Sequence, residues 1–342
     1  MHRPLRLTID RSAIQANWRW LQDRAGVPAG AAVKADGYGL GARETTEALI
    51  EAGCRDFFVS SWAEAEQLGS LPADVSVVVL HGVGADDVEA ATRIPARPCL
   101  NSVEQVARWK QIAAGRPCDV MVDTGMNRLG LRPSEIAALD GLTIDTLHSH
   151  LACSDEDSAM NGMQLERFRA VTSAVRARRY SLANSAGIGL GRDYSFELVR
   201  PGISIYGGVQ RREFEGNIRQ TARVEAQIVQ RRKIPQGESC GYGATFVAQQ
   251  GTEAATINIG YADGYLRGFS NHGSAFAGEF ALPVIGRVSM DLVILNCEAA
   301  PQLREGDWVE IDYDLPSAAN QSGLSQYELL TTLGSRFERR WA

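Results

Sequence analysis

Lysine is nearly missing from this chain of 342 residues: among its 35 lysines plus arginines only Lys34, Lys110 and Lys233 are lysine. Arginine bias of this kind can follow from genomic base composition. It also makes any lysine kept in an apolar stretch worth asking about, because arginine offers no free amine lone pair. Cysteine is sparse and scattered, at Cys54, Cys99, Cys118, Cys153, Cys240 and Cys297, with no C-x-x-C pair. That spacing excludes the usual zinc and redox motifs, so no metal is expected, and it predicts reduced thiols in a cytoplasmic protein. Long hydrophobic runs are absent too. No stretch approaches the ~20 apolar residues of a membrane span, and Asp10 and Arg11 interrupt the basic N-terminus before a signal-peptide core could form. Excess positive charge is lacking: the net charge of −6 argues against a protein built to grip nucleic acid. Neither a membrane nor a nucleic acid is expected as partner.

What is present is ordinary globular chemistry, 44% hydrophobic and 22% charged, which excludes a disordered or fibrous chain. The length suggests two domains, or one large α/β barrel with an appendix. From about residue 28, short apolar runs alternate with amphipathic segments. Strand-like runs are predicted at 31–33, 56–60, 75–80, 119–122, 143–147 and 180–182. Helical spacing is predicted over 43–52, 62–68, from Ser102 as N-cap, and over 163–178. Such alternation implies a parallel sheet covered by helices, either open or closed into a barrel. Beyond about residue 217 the texture changes to strands at 224–230, 254–259, 280–285, 288–295 and 308–311, with no convincing helix until Tyr327. This predicts a barrel-like domain over 11–216 and a mostly β domain over 217–342, which residues 1–10 could join.

In either parallel architecture, chemistry sits at the carboxyl ends of strands. The polar residues predicted there are Lys34, Asp123, His148, His150, Asn184 and Ser185. Lys34 lies in AAVKADGYGLG, at the end of an apolar strand. Burial of an ammonium favours its neutral form and makes the amine a nucleophile toward carbonyls, although a lone lysine at a strand end can simply extend its amine to water. The glycine cluster at 187–191 does not match a dinucleotide fingerprint in spacing.

AVKADGYGLG resembles the pyridoxal-phosphate lysine motif of the bacterial alanine racemases. VDTGMNRLG (122–130), SHLACSD (149–155), ANSAG (183–187), VRPGISIYG (199–207), GYGATF (241–246), IGYADGYLR (259–267) and GRVSMD (286–291) resemble the family's remaining motifs, in order. The resemblance covers nearly the whole chain. It implies an eight-stranded α/β barrel of the TIM type followed by a β domain, working as a homodimer whose sites are shared between subunits. The implied activity is interconversion of L-alanine and D-alanine through a pyridoxal 5′-phosphate aldimine by two bases, supplying D-alanine for peptidoglycan. The implied catalytic pair is Lys34, which binds the cofactor covalently, and Tyr242 on the opposite face of the substrate. The cofactor contacts are those of Lys34, Tyr38, His150, Ser185, Arg200, Gly202, Ile203 and Tyr327. Arg128 and Met290 would orient the substrate carboxylate, and Asp155, Tyr261, Arg267 and Arg287 would line a narrow entrance.

There is one departure. Many relatives place a carbamylated lysine just before VDTGM, where this chain has Met121. Arg128 then lacks an anionic neighbour or recruits a halide, or Met121 is plain core. Two further readings stand beside the leading one: a racemase of serine or of broader specificity, and a non-catalytic pyridoxal-phosphate carrier. Such carriers resemble the barrel alone, so the β domain with Tyr242 and Met290 discriminates against them.

Overall fold

The computed structural model describes residues 2–113 and 115–342. The chain divides into two compact units, one formed by the N-terminal residues to Ala13 with Gln220–Ala342, the other by Ile14–Arg219. Strand β1 (Leu5–Ile9) belongs to the first unit, and helix α1 (Arg11–Ala25) leads into the second. The alternation that is legible from about residue 28 does not include α1. Its buried residues Ile14, Trp18, Leu21 and Ala25 nonetheless recur at helical spacing.

In the second unit the strands are β2 (Ala31–Ala32), β3 (Asp56–Val59), β4 (Ser76–Val79), β5 (Arg97–Leu100), β6 (Cys118–Met121), β7 (Ile144–His148) and β8 (Arg179–Ser181). Each pairs in parallel with the next. Between and after them lie the turn α2 (Lys34–Tyr38) and helices α3 (Ala42–Ala52), α4 (Trp62–Gln67), α5 (Val88–Arg93), α6 (Val103–Ile112), α7 (Ala159–Ala174) and α8 (Ser185–Gly189). β3 and β6 are buried along their whole length, as expected of strands covered on both faces. Residues 197–201 supply the eighth position of the ring. Glu197 N–H and Arg200 N–H donate to Tyr180 and Ala183 of the β8 edge, while Gly30 and Ala32 N–H donate to Val199 and Pro201. Only the bridge Ala29↔Val199 is regular, because Pro201 has no N–H to continue the ladder.

The unit's interior is not wholly apolar. Asp56, Arg97, Asp119, Asp145 and Arg179, at the amino-terminal ends of their strands, interlock through Arg97–Asp119 (2.9 Å), Arg97–Asp145 (3.2 Å), Arg179–Asp56 (2.6 Å) and Arg179–Asp145 (3.0 Å). Helix α7 starts and ends four residues before the predicted 163–178. Ser158 caps it by accepting from Met160 N–H at 3.2 Å, and Val175 is already extended.

In the first unit, β9 (Ala222–Ile234) is central, pairing with β1, with β12 (Thr252–Ile257) and with β16 (Trp308–Ile311). The hairpin β10 (Ser239–Cys240) and β11 (Phe246–Val247), strands β13 (Ser274–Ala277), β14 (Phe280–Pro283) and β15 (Val293–Asn296), helices α9 (Leu315–Ser322) and α10 (Gln326–Thr331), and β17 (Glu338–Trp341) complete it. Burial alternates along β1, placing Leu5, Leu7 and Ile9 inward. Helix α9 corrects the expectation of no helix before Tyr327: Pro316 sits in its first turn and Gly323 ends it at φ 70°, so residues that read as turn chemistry are its caps. The predicted strand 288–295 is also shorter, because Ser289 and Leu292 close a turn through Ser289 N–H to Leu292 O and Leu292 N–H to Ser289 Oγ, both 3.1 Å. All six cysteines are free. Among the described residues no helix is long and apolar enough to cross a membrane.

Candidate active site

Lys34 follows β2, and the backbone after it turns left-handed for four residues: Ala35, Asp36, Gly37 and Tyr38 have φ of 54°, 53°, 60° and 54°. Three of these are not glycine, at a cost of ~1–2 kcal/mol each. Space around Gly37 is tight as well, since a Cβ there would lie 3.1 Å from the Ala42 nitrogen. Gly37 N–H donates to Val33 O and Gly39 N–H to Ala35 O, while Asp36 Oδ1 accepts from Ala42 N–H at 3.0 Å. Burial lowers the affinity of the Lys34 amine for its proton. The Arg128 charge lowers it further, and the Glu64 charge opposes both.

Four residues on, the Tyr38 ring stacks on Tyr206, centroids 4.7 Å apart at 24°, and Tyr206 OH donates to Ala32 O at 2.9 Å. A Cβ on Gly202 would sit 2.2 Å from the Tyr38 phenol oxygen, so only glycine permits this approach. Ser185 Oγ accepts from the backbone N–H of Gly202 (2.8 Å) and Ser204 (3.3 Å). The Ser204 Oγ is buried with no hydrogen-bond partner among the described residues. Ile203 is buried in the turn Ile203–Tyr206. Backbone amides and three hydroxyls thus converge on one small region, the composition of an anion cradle.

Arg200 is buried. Its Nη1 donates to Ser181 Oγ and its Nη2 to the Ser149 carbonyl at 2.5 Å. Burial pushes its pKa down to about 10, with the Cys99 and Asp119 charges opposing. The guanidinium therefore stays charged at neutral pH while touching only uncharged acceptors. Behind it, His148 Nε2 meets Asp119 Oδ2 at 2.7 Å, and burial brings His148 down to about 4. His150 is brought down to about 3 by burial, then by the charges of Arg200, Arg128 and Lys34. Both rings are neutral at pH 7. The His150 carbonyl is fixed by Gln164 Nε2 at 2.9 Å, whose Oε1 accepts from Ala152 N–H at 2.8 Å.

Arg128 is exposed on the loop after β6, which Asp123 Oδ1 shapes by accepting from Gly125 (2.8 Å) and Met126 (2.9 Å) N–H. No carboxylate pairs with Arg128 among the described residues. Met121 is buried, with its Cγ 3.0 Å from where a Cβ on Gly130 would stand. That packing favours the core reading of this methionine. Asp155 is exposed on the loop after β7, which Arg211 ties down through Ser154 O at 3.0 Å.

The remaining expected residues belong to the other unit. Tyr242, 70% exposed, sits between Gly241 and Gly243, both at positive φ. The Arg287 guanidinium lies 3.2 Å from where a Cβ on Gly243 would be. Tyr261 and Ala262 N–H donate to the carbonyls of Ser289 (3.1 Å) and Met290 (3.0 Å), and a Cβ on Gly260 would strike Met290 O at 2.3 Å. The Arg267 guanidinium lies 5.5 Å above the Tyr261 ring. Met290 is 53% and Tyr327, on α10, 41% exposed. Asp263, fully buried, takes Arg336 Nε and Nη2 at 2.6 Å each and accepts from Gly260 N–H at 3.0 Å.

One unit therefore gathers Lys34, Tyr38, Arg128, His150, Ser185, Arg200, Gly202 and Ile203 at the carboxyl ends of its strands. The other gathers Tyr242 with Arg287, and Tyr261 with Arg267 and Met290. Sequence reasoning missed Arg97, Asp119, Ser181, Tyr206, Asp263 and Arg336, and gave His148 no role. A charge inside an apolar strand, as in DVMV, is the one signal that pointed to Asp119; nothing local marks Ser181.

The sequence matches the family "Alanine racemase, N-terminal domain" over residues 9–210 and "Alanine racemase, C-terminal domain" over residues 221–341. Alanine racemase from Methylobacterium nodulans is 40% identical over 353 residues, covering 98% of this chain and 95% of that protein. The crystal structure of alanine racemase from Bartonella henselae with covalently bound pyridoxal phosphate superposes with a TM-score of 0.93 at 35% identity, covering 99% of both chains. Biosynthetic alanine racemase from Pseudomonas aeruginosa superposes at 0.91 with 31% identity over the whole of both.

Proposed function

The chain belongs to the alanine racemase family, and on that premise we propose that it interconverts L-alanine and D-alanine with pyridoxal 5′-phosphate by a two-base mechanism, supplying D-alanine for peptidoglycan. The observation that carries this reading is Lys34: a primary amine of lowered proton affinity, close enough to Arg128 for that charge to act on it, in the unit that holds the Tyr38–Ser185–Gly202 cradle. The residues fit the cofactor. The amine suits its aldehyde, and the amides of Gly202, Ile203 and Ser204 with the hydroxyls of Ser185 and Tyr38 suit its phosphate; the family resemblance adds the Tyr327 hydroxyl. The unpartnered Ser204 Oγ adds one more donor that a phosphate would satisfy. Arg200 suits its ring nitrogen.

When bound, pyridoxal 5′-phosphate supplies an electron sink for the carbanion at the substrate Cα. Lys34 would hold the cofactor through its amine and would remove or return the proton on one face of Cα. The Tyr242 phenol does the same on the other. Arg200 would donate a hydrogen bond to the ring nitrogen without surrendering a full proton, since even at a pKa of about 10 it is ~99.9% charged at pH 7. That restrains electron withdrawal and disfavours transamination and decarboxylation. Arg128 and the backbone of Met290 bind the substrate carboxylate, and His150, held neutral, links Arg200 toward Tyr242.

The exposure of Tyr242 and Met290 supports a homodimer in which each site takes these residues from the second copy. Tyr261, Arg267, Arg287 and Asp155 would line the entrance; a mouth pinched by an aromatic and two arginines excludes bulk, which suits alanine. The match to a second, C-terminal family domain favours a racemase over a carrier built from the barrel alone.

The test is a panel of L-amino acids given to the cofactor-loaded chain, followed by optical rotation. L-Alanine should lose rotation fastest, with L-serine slower. A bound-cofactor absorption band without any loss of rotation would favour the carrier, and fastest decay with L-serine would reassign the substrate.

A further inference from the structure

The left-handed turn after Lys34 needs an external hold, and the structure supplies one outside every motif that carries the family resemblance. Helix α4 opens at Ser61, whose Oγ accepts from Glu64 N–H at 3.3 Å. In a capping box the acid at this position returns to the cap's own backbone N–H. Here Glu64 divides its carboxylate instead. Oε2 accepts from Ser60 N–H at 2.6 Å, one residue before the cap, and Oε1 leaves the helix to accept from Ala35 N–H at 2.9 Å. Ala35 is the first left-handed residue, and its N–H is the first amide after Lys34. The helix that carries Glu64 is itself fixed, since Trp62 is buried and its Nε1 donates to Gly82 O at 2.9 Å.

We propose that Glu64 is a positioning residue of the reaction: its carboxylate locks the left-handed turn to the β3–α4 corner, fixing the direction of the Lys34 side chain, and its negative charge balances that of Arg128 at the amine. Both hydrogen bonds are charge-assisted: the one from Ala35 N–H holds the start of a turn whose three non-glycine residues are left-handed, and the one from Ser60 N–H anchors the same carboxylate to the β3–α4 corner. The charged and titratable groups that act on Lys34 or feel its charge are Arg128, Glu64 and His150, so Glu64 is the one anion among them. This deepens the racemase reading and rests on Lys34 being its cofactor and proton-carrying residue.

The scarcity of lysine makes the test direct. With ε-¹³C-lysine the full chain gives three lysine resonances, two of them from the exposed Lys110 and Lys233, and Lys34 is titrated alone in the cofactor-free protein. In Glu64→Gln the Lys34 titration should move down by about one pH unit, and amide exchange at Ala35 should accelerate about tenfold or more. Glu64→Asp keeps the charge but is too short to reach both amides, so it should accelerate exchange and leave the titration in place. Ser61→Ala removes the α4 cap without touching the bridge and should change neither. In the loaded enzyme, Glu64→Gln should lower kcat more than it raises KM. An unmoved titration and unchanged exchange in Glu64→Gln would overturn the proposal, as would Ser61→Ala reproducing both effects. Neither spectroscopic readout needs an amino-acid substrate, so absent racemisation would count against the racemase reading alone.

Discussion

His148 should make the folded protein acid-sensitive by a calculable amount. The ring is fully buried and held by Asp119 at 2.7 Å, and its pKa of about 4 compares with 6.5 for an unconstrained histidine. Burial is the principal cause. The unfolded chain therefore takes up a proton at this residue between pH 6.5 and about 4, while the native state does not. The stability that His148 contributes as a neutral ring is complete above pH 6.5 and is lost as pH falls toward 4. The difference between 6.5 and about 4 corresponds to ~3.4 kcal/mol in total, of which ~2 kcal/mol is gone by pH 5. His148→Gln retains an N–H donor for Asp119 and cannot titrate. Urea unfolding of the cofactor-free chain, followed by tryptophan fluorescence from pH 4.5 to 7.5, should give a stability slope ~1.2 kcal/mol per pH unit steeper in the wild type between pH 4.5 and 6. His150 is retained in both proteins and its burial largely cancels; the His148 charge, weaker there than those of Arg200, Arg128 and Lys34, adds only a small coupling. Identical slopes would refute the reasoning, because they would mean that native His148 is already protonated or is not shifted.

Three further outcomes follow from the geometry. Lys34→Arg should keep the fold and the local positive charge yet abolish the visible band of covalently bound cofactor and all turnover; a retained band would exclude Lys34 as the attachment point. Gly202→Ala places a methyl 2.2 Å from the Tyr38 oxygen, and should weaken pyridoxal 5′-phosphate binding by about 10- to 100-fold, a loss of ~1.4–2.7 kcal/mol measurable by fluorescence quenching. Arg336→Ala strips the fully buried Asp263 of both 2.6 Å contacts; because Arg336 is 42% exposed, the cost should be ~2–3 kcal/mol rather than the full value of a buried pair, seen as a lowered melting temperature.

The barrel strands were legible because a strand covered on both faces must be a short apolar run, and 75–80 and 119–122 are such runs. Helix α9 was not, because its Pro, Ser and Asn residues carry the chemistry of turns and act here as first turn and cap. The left-handed turn at 35–38 leaves no local trace beyond Gly37: Ala35, Asp36 and Tyr38 do not favour positive φ, and the conformation is imposed by Tyr206, Ala42 and Glu64, distant in sequence or set on another element. The same holds for Arg200. Its arginine was marked by the motif, but Ser181 and the Ser149 carbonyl that orient it, and the Asp119–His148 pair behind it, come from strands far apart in the chain. Lys34 was marked by rarity. The structure then separates it from the other two lysines, with Lys110 exposed and donating to Ala138 O at 2.9 Å and Lys233 exposed on β9, positions where arginine would serve.

In the proposed reaction Lys34 and Tyr242 work from opposite faces of one substrate carbon. L-Alanine incubated with the cofactor-loaded chain in deuterated water, and sampled before one-tenth conversion, measures this directly by mass spectrometry of the separated enantiomers. Two bases predict D-alanine carrying deuterium at Cα while the recovered L-alanine keeps its protium. Equal deuterium in both enantiomers from the earliest samples, or protium retained in the D-alanine formed, would mean that a single base serves both faces and would contradict the account.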